Sequence, residues 1–202
     1  MTDFAASDLK TIYPKPTPRV IAKARPEIDA HAKKFIAMSP FCVLATSGTD
    51  GSVDASPRGG APGFVAVLDE KTLLLPDRVG NKRADTTINA TAHNRLGLLF
   101  MVPGIDETVR VNGSVRVTID PELLLPLSVA GKAPVSGLLV TAEEVFFHCG
   151  KALLRADLWN PDRRVPRASF PSLGKILADQ IAGGKAEEYE RGVEEQYRTR
   201  LY

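Results

Sequence analysis

The sequence predicts a mainly β fold with peripheral helices, a closed or partly closed antiparallel barrel, and three observations carry that prediction. Roughly six segments are apolar, or alternate apolar with polar residues, over strand lengths. Hairpin turn chemistry separates them, as in Ser47-Gly48-Thr49-Asp50-Gly51 and Asp69-Glu70-Lys71. The few helical segments do not alternate regularly with the strands, which argues against a doubly wound sheet. With 202 residues, 44% hydrophobic and 25% charged, the chain suits one soluble domain with a real core. It divides into an extended N-terminal arm over 1–25, a barrel domain over 26–170 and a C-terminal helical extension over 171–202.

Pro14, Pro16 and Pro18 predict the extended arm. Pro26 at a first helical position, followed by Ile28, Ala32, Phe35 and Ile36 at helical spacing, predicts an amphipathic helix ending near Met38 or Ser39. A hairpin follows, with strands over 41–46 and 53–58, and then a second over 64–68 and 72–75. Pro76 and Gly80 break the chain, and Asn81 is placed to cap a helix running to about residue 91. Leu96 to Val102 is apolar on both faces and predicts a buried strand. From Thr108 to Ile119 apolar and polar residues alternate in one long strand. Asn112-Gly113 lies within that pattern without shifting its phase, so a bulge or bend is preferred to a tight hairpin. Asp120-Pro121 opens a short helix through Leu127, and Leu138 to Phe147 forms a further strand. Residues 148–167 turn helical and basic, with five Lys or Arg against two Asp, and helices over 172–182 and 185–200 complete the chain.

Composition also narrows function. A net charge of +2 gives no global field for nucleic acid or an anionic membrane, so any basic site is local. Cys42 and Cys149 make neither a disulfide framework nor a zinc pattern, and predict reduced thiols in a cytoplasmic protein. The first residues lack a charged region followed by an apolar stretch, and no run approaches the roughly 18 apolar residues of a membrane span. His31, His93 and His148 are the only imidazoles, without metal-site spacing, and no G-x-S-x-G elbow or G-x-G-x-x-G fingerprint occurs. Neither nucleophilic hydrolysis, nor a metal site, nor a Rossmann cofactor is expected, and no catalytic residue declares itself.

What remains is a basic corner. Arg78, Lys82 and Arg83 stand within six residues, with no acid between them. If Asn81 caps the helix, Lys82 and Arg83 fall in its first turn, where the macrodipole disfavours cations and favours an anion. A phosphate would resolve that conflict; so would solvated side chains with Asp85 as an ion-pair partner. Next to a strand ending in Ser56-Pro57-Arg58-Gly59, a phosphate site suggests a cofactor with one phosphate and a flat apolar ring.

The order of the first hairpin, SPRGGAPGFVAVLDEKTLLLPDRVGNKRADTTIN (56–89), GLLFMVPGIDETVRVNG (97–113) and FHCGKALLRADLW (147–159) resembles the pyridoxamine 5′-phosphate oxidase-like FMN-binding proteins, in particular their bacterial flavin-nucleotide-binding branch. The resemblance implies the FMN-binding split β-barrel and a homodimer with the flavin site at the subunit interface. It implies that Ser56, Pro57 and Arg58 line the ring or ribityl chain and that Arg78, Asn81, Lys82 and Arg83 hold the phosphate. Lys151, Arg155 and Trp159 would reach the partner subunit's flavin, or else be surface cations and a core or interface Trp; Arg110 and Asn112 would contact flavin or fix the strand edge, and His148 would pack or cap the start of the next helix. The implied activity is that of an FMN-dependent oxidoreductase on a small-molecule substrate, with a non-catalytic FMN carrier or sensor, or a deazaflavin- or haem-binding relative, as alternatives. Gly60 stands where many relatives carry an acid, and the Arg and His pair that binds substrate in true pyridoxamine phosphate oxidases is not recognisable, so vitamin B6 oxidation is not the first expectation.

Overall fold

The computed structural model describes residues 9–13, 15–78, 80 and 84–202. Two short helices, α1 (Leu9–Ile12) and α2 (Pro18–Ala22), precede α3 (Ala30–Met38). Strands β1 (Phe41–Ser47) and β2 (Val53–Gly59) form the first hairpin, and β3 (Ala66–Val67) and β4 (Thr72–Asp77) the second. Helix α4 (Asp85–Ala92) leads into β5 (Arg95–Met101) and β6 (Thr108–Thr118). Helix α5 (Pro121–Leu124) and one 3-10 turn precede β7 (Ser136–His148). Helices α6 (Lys151–Ala156), α7 (Leu173–Gln180) and α8 (Ala186–Thr199) follow.

The seven strands make one antiparallel sheet in the order β2-β1-β5-β6-β7-β4-β3. Its far sides curl toward each other. Arg58 on β2 reaches Asp77 on β4, with Nη1 3.5 Å from Oδ1, and donates from Nη2 to Thr86 on α4 at 2.9 Å. Side chains, rather than a backbone ladder, bridge that gap, which makes the expected split barrel. The core follows from strand alternation: Cys42 and Leu44 of β1, Leu98 and Phe100 of β5, Val109 and Val111 of β6, and Val140 and Val145 of β7 point inward, and α3 covers them with Ala32, Phe35 and Ile36.

The expected bulge is present, with its extra residue on the neighbouring strand. Asn112 pairs with Glu144 and Gly113 with Ala142, so Glu143 of β7 is unmatched while β6 keeps its phase. Arg95 ion-pairs with Glu143 and so holds the bulge from β5.

Four local expectations are corrected. The arm is not extended throughout, because Pro18 sits at the first position of α2, where its fixed φ suits a helix. Helix α3 begins at Ala30, not Pro26, because Asp29 caps it by accepting from Ala32 N–H at 2.9 Å. The residues before it serve the barrel instead: Arg25 and Val145 exchange backbone bonds, and Ile28 is buried. Helix α4 begins at Asp85, not Asn81, and its first turn holds an acid, which suits the positive end of the dipole; Lys82 and Arg83 lie outside the described residues. Strand β5 is buried on one face only, with Leu96, Leu98 and Phe100 inside and Leu99 and Met101 half-exposed on the other.

Ser39 joins α3 to the sheet. It is 1% exposed, and its Oγ lies 2.7 Å from the carbonyl oxygens of both Phe41 and Met101. Ser39→Ala leaves those buried carbonyls short of a donor and is expected to cost about 1–3 kcal/mol in urea unfolding. An unchanged midpoint would show that the hydroxyl contributes nothing.

Candidate functional site

Two groups of polar side chains flank the edge formed by β1 and β2. Residues paired across an antiparallel ladder share a face. Asp54, Ser56 and Arg58 pair with Thr46, Leu44 and Cys42, so they lie on the inward face. Pro57 pairs with Val43 and points outward. The sequence-adjacent trio Ser56-Pro57-Arg58 is therefore divided between two sides of the strand.

On the inward side Thr86, in the first turn of α4, is the hub. Its Oγ1 accepts from Arg58, donates to Asp54 Oδ2 at 3.0 Å and lies 3.4 Å from Ser56 Oγ. Asp77 receives Ser136 Oγ at 3.4 Å in addition to its contact with Arg58. Arg58 Nε is buried without a partner, and the nearby Cys42 thiol is pushed up to about 12 by burial, with Arg58 drawing it the other way. Asn81, Lys82 and Arg83, expected to hold a phosphate, lie outside the described residues. Arg78 turns elsewhere: its Nη2 donates to Leu127 O at 2.8 Å and its guanidinium lies 5.3 Å from the Tyr202 ring centroid.

On the outward side lies a cavity of about 680 Å³. Val43 and Ala45 of β1 and Leu99 and Met101 of β5 give it an apolar floor; Arg110 and Asn112 of β6 and Lys151 and Arg155 of α6 line it with polar groups. Gly97 helps keep it open, since a Cβ there would come 3.1 Å from Asn112 Oδ1. Glu144 Oε1 accepts from Arg110 Nη2 at 2.6 Å and from Asn112 Nδ2 at 3.0 Å, while Arg110 also lies over the Phe146 ring at 5.0 Å. Fixed from two sides, Arg110 retains a buried Nε with no partner. His148 stacks edge-on against Phe146 at 4.9 Å; burial first, then Arg110 and Lys23, lowers its pKa and favours the neutral imidazole. The exposed Cys149 thiol is also lowered, first by the backbone N–H of Lys151.

Lys151 and Arg155 thus meet Arg110, Asn112 and His148 at one cavity, whereas Trp159 does not line it. Its Nε1 donates to Ile105 O at 3.0 Å, which ties the indole to its own chain. Thr86, Asp54, Asp77 and Glu144 were missed by sequence reasoning. The one available signal was at Thr86, a hydroxyl three residues after Arg83; the carboxylates are brought in by strand pairing. Among the described residues no group of three His, Cys, Asp or Glu is gathered as for a metal ion, and no helix is long and apolar enough to cross a membrane.

A sequence profile of the pyridoxamine 5′-phosphate oxidase family matches residues 28–149. No curated protein matches the chain. Among solved structures, a HupZ variant from Group A Streptococcus superposes with a TM-score of 0.50 at 15% identity, covering 60% of this chain and 99% of that one. General stress protein 26 from Bacillus anthracis gives 0.43 at 12% identity, with 58% and 93% covered. The FAD binding protein from Mycobacterium smegmatis gives 0.41 at 16%, with 61% and 97% covered. At 15% identity the likeness to HupZ is one of fold.

Proposed function

Because the chain belongs to the pyridoxamine 5′-phosphate oxidase family, we propose that it is an FMN-binding oxidoreductase that acts on a small molecule as a homodimer. The outward cavity is the observation that carries this reading. Its volume suits a small-molecule site, its floor suits a flat apolar ring, and its rim offers donors from Arg110, Asn112, Lys151 and Arg155. The unpartnered Arg110 Nε is the buried donor that fits a ligand acceptor. Pro57 pairs with Val43 of the cavity floor and shares its face, while Ser56 and Arg58 lie on the opposite face of the edge strand, with Arg58 reaching Asp77, a few residues before Asn81, Lys82 and Arg83 in sequence. These residues would hold the ring on one side and the ribityl phosphate on the other.

When bound, FMN supplies hydride or electron transfer at its ring, a chemistry that no side chain of the cavity provides. The protein's part is electrostatic. Glu144 and Phe146 immobilise Arg110, so its charge is presented to the cavity without reorganisation, and Lys151 and Arg155 add to it. A neutral His148 does not add to that charge and can accept or donate a hydrogen bond according to tautomer. The floor is open on the side away from the barrel, and a second copy laid over it would exclude water from the ring.

The test is the absorption spectrum of the purified chain, as isolated and after adding FMN, together with sedimentation. We expect the two bands of an oxidised flavin, perturbed on binding, and a dimer. A spectrum of haem or deazaflavin would replace the cofactor assignment, and a monomer with tightly held FMN would overturn the shared site. Nicotinamide-driven reduction followed by reoxidation separates an enzyme from a carrier.

A further inference from the structure

Beyond α6 the chain makes an excursion that the site described above does not use. Trp159 is tied to Ile105 O where it leaves, and at Tyr202 the ring lies 5.3 Å from the Arg78 guanidinium. Among the described residues no hydrogen bond or ion pair joins 164–200 to any strand. Between 160 and 200 only Gly174 is buried. Helices α7 and α8 are nonetheless a definite unit. A Cβ on Gly174 would come 2.7 Å from Glu190 N, so the two helices cross in backbone contact. A Cβ on Gly184 would come 2.2 Å from the Tyr189 ring, which folds over the turn between them. Ser172 caps α7 by accepting from Lys175 N–H at 3.2 Å.

This unit carries apolar rows that it does not bury. Leu173, Leu177 and Ile181 recur at four-residue spacing along α7 and its C-cap, as do Tyr189, Val193 and Tyr197 along α8. Leu173, Ile181 and Tyr197 are exposed, and so are Val165 and Phe170 before α7. Two helices without a buried apolar side chain have little to offset their ordering, which packing against further helices supplies.

The charges identify the partner. Residues 161–171 carry Arg163, Arg164 and Arg167 against Asp162, whereas α8 carries five Glu against Arg191 and Arg198. These opposite charges do not meet within one chain. Arg163 pairs with Asp157, and Arg167 donates to the carbonyls of Phe170 and Pro171. Glu188 and Glu195 pair with Lys185 and Arg198. Arg164, and the row of Glu187, Glu190 and Glu194 along one side of α8, are left without an ion-pair partner among the described residues. A basic segment and an acidic row that stay apart in one chain are satisfied twice over by a two-fold contact, in which each meets its complement on the other copy.

We propose that α7, α8 and the basic segment before them form a contact between two copies of this chain. Arg164 of each copy is set against the acidic row of α8 on the other, and the apolar rows are buried between them. This contact goes beyond the cover that the proposed flavin site asks of a second copy, because it is built from residues after α6 and holds whether or not a flavin binds.

The experiment is sedimentation of the full chain, of Arg164→Glu, of Glu187→Lys/Glu194→Lys, and of an equal mixture of the two variants. Thermal melts confirm that each is folded, and FMN absorption is recorded on the same samples. The wild type is expected to dimerise, and each variant alone to have a dimer Kd raised by about tenfold or more, because like charges or unpaired ones then face each other twice. The mixture should regain wild-type association, since both contacts of the mixed dimer are again attractive. Variants that dimerise as the wild type does overturn the contact, and so does a mixture that associates no more tightly than its components; neither result touches the flavin reading. A monomeric wild type overturns this contact and the homodimer together, while the flavin bands decide the cofactor separately.

Discussion

Gly113→Ala is expected to lower stability by about 3 kcal/mol or more, enough to leave a domain of ordinary stability largely unfolded when warmed. A Cβ built on Gly113 lies 1.9 Å from Thr141 O and 2.9 Å from Thr141 C. Both obstacles are backbone, so no rotamer change relieves them. Nor can the strand move aside easily, because Gly113 is paired with Leu96 of β5 on one side and with Ala142 of β7 on the other. The conflict therefore passes into the middle of the sheet. Gly104→Ala is the control: its φ is +87°, but nothing lies within 4 Å of the added methyl, so only the conformational penalty of about 1 kcal/mol remains. Urea unfolding of both variants checks the contrast; equal costs would show that the bulge yields to a methyl group.

That bulge also marks how far the fold was legible. The strand over 108–119 was readable because its alternation has period two, and the preserved phase across Asn112-Gly113 correctly opposed a hairpin. The extra residue, Glu143, was not readable, because a register shift in β7 leaves no trace in the periodicity of β6. Helix starts failed for a related reason. Pro26 and Asn81 are both good local signals, but Ile28 is taken by the core and by a backbone bond to Glu70, so α3 waits for Asp29. For α4, Ala84 occupies the cap position and its side chain makes no capping bond, so no signal marked the true start.

The site was legible as residue types and not as an arrangement. Arg58, Arg110, Lys151 and Arg155 were all singled out from the sequence, yet only strand pairing shows Pro57 facing outward from its two neighbours. Thr86 could not be ranked above Thr87 until α4 packed against β2. Glu144 fixes Arg110 from 34 residues away, across the β6–β7 ladder. Trp159 has its indole N–H taken by Ile105 O of its own chain, a contact across 54 residues that its sequence neighbours do not announce.

Lys82→Ala combined with Arg83→Ala is expected to weaken FMN by roughly 3–6 kcal/mol, about 10²–10⁴ in Kd, on the premise that each charge-assisted contact is worth about 1.5–3 kcal/mol. Lys82 and Arg83 lie outside the described residues, and the first turn of α4 carries Asp85. The described part of the corner sets Arg58 beside Asp54 and Asp77, so it is not by itself attractive to a dianion. If a phosphate binds there, the missing positive charge has to come from Lys82 and Arg83, with Arg78 at the beginning of the same stretch. Their removal leaves the phosphate facing carboxylates, so the loss should lie near the upper end of the range and shrink as salt is raised. Riboflavin, which lacks the phosphate, should bind the variant and the wild type alike. Fluorescence titration measures both; an FMN affinity within threefold of wild type would mean that Lys82 and Arg83 are solvated cations and that the phosphate is held elsewhere.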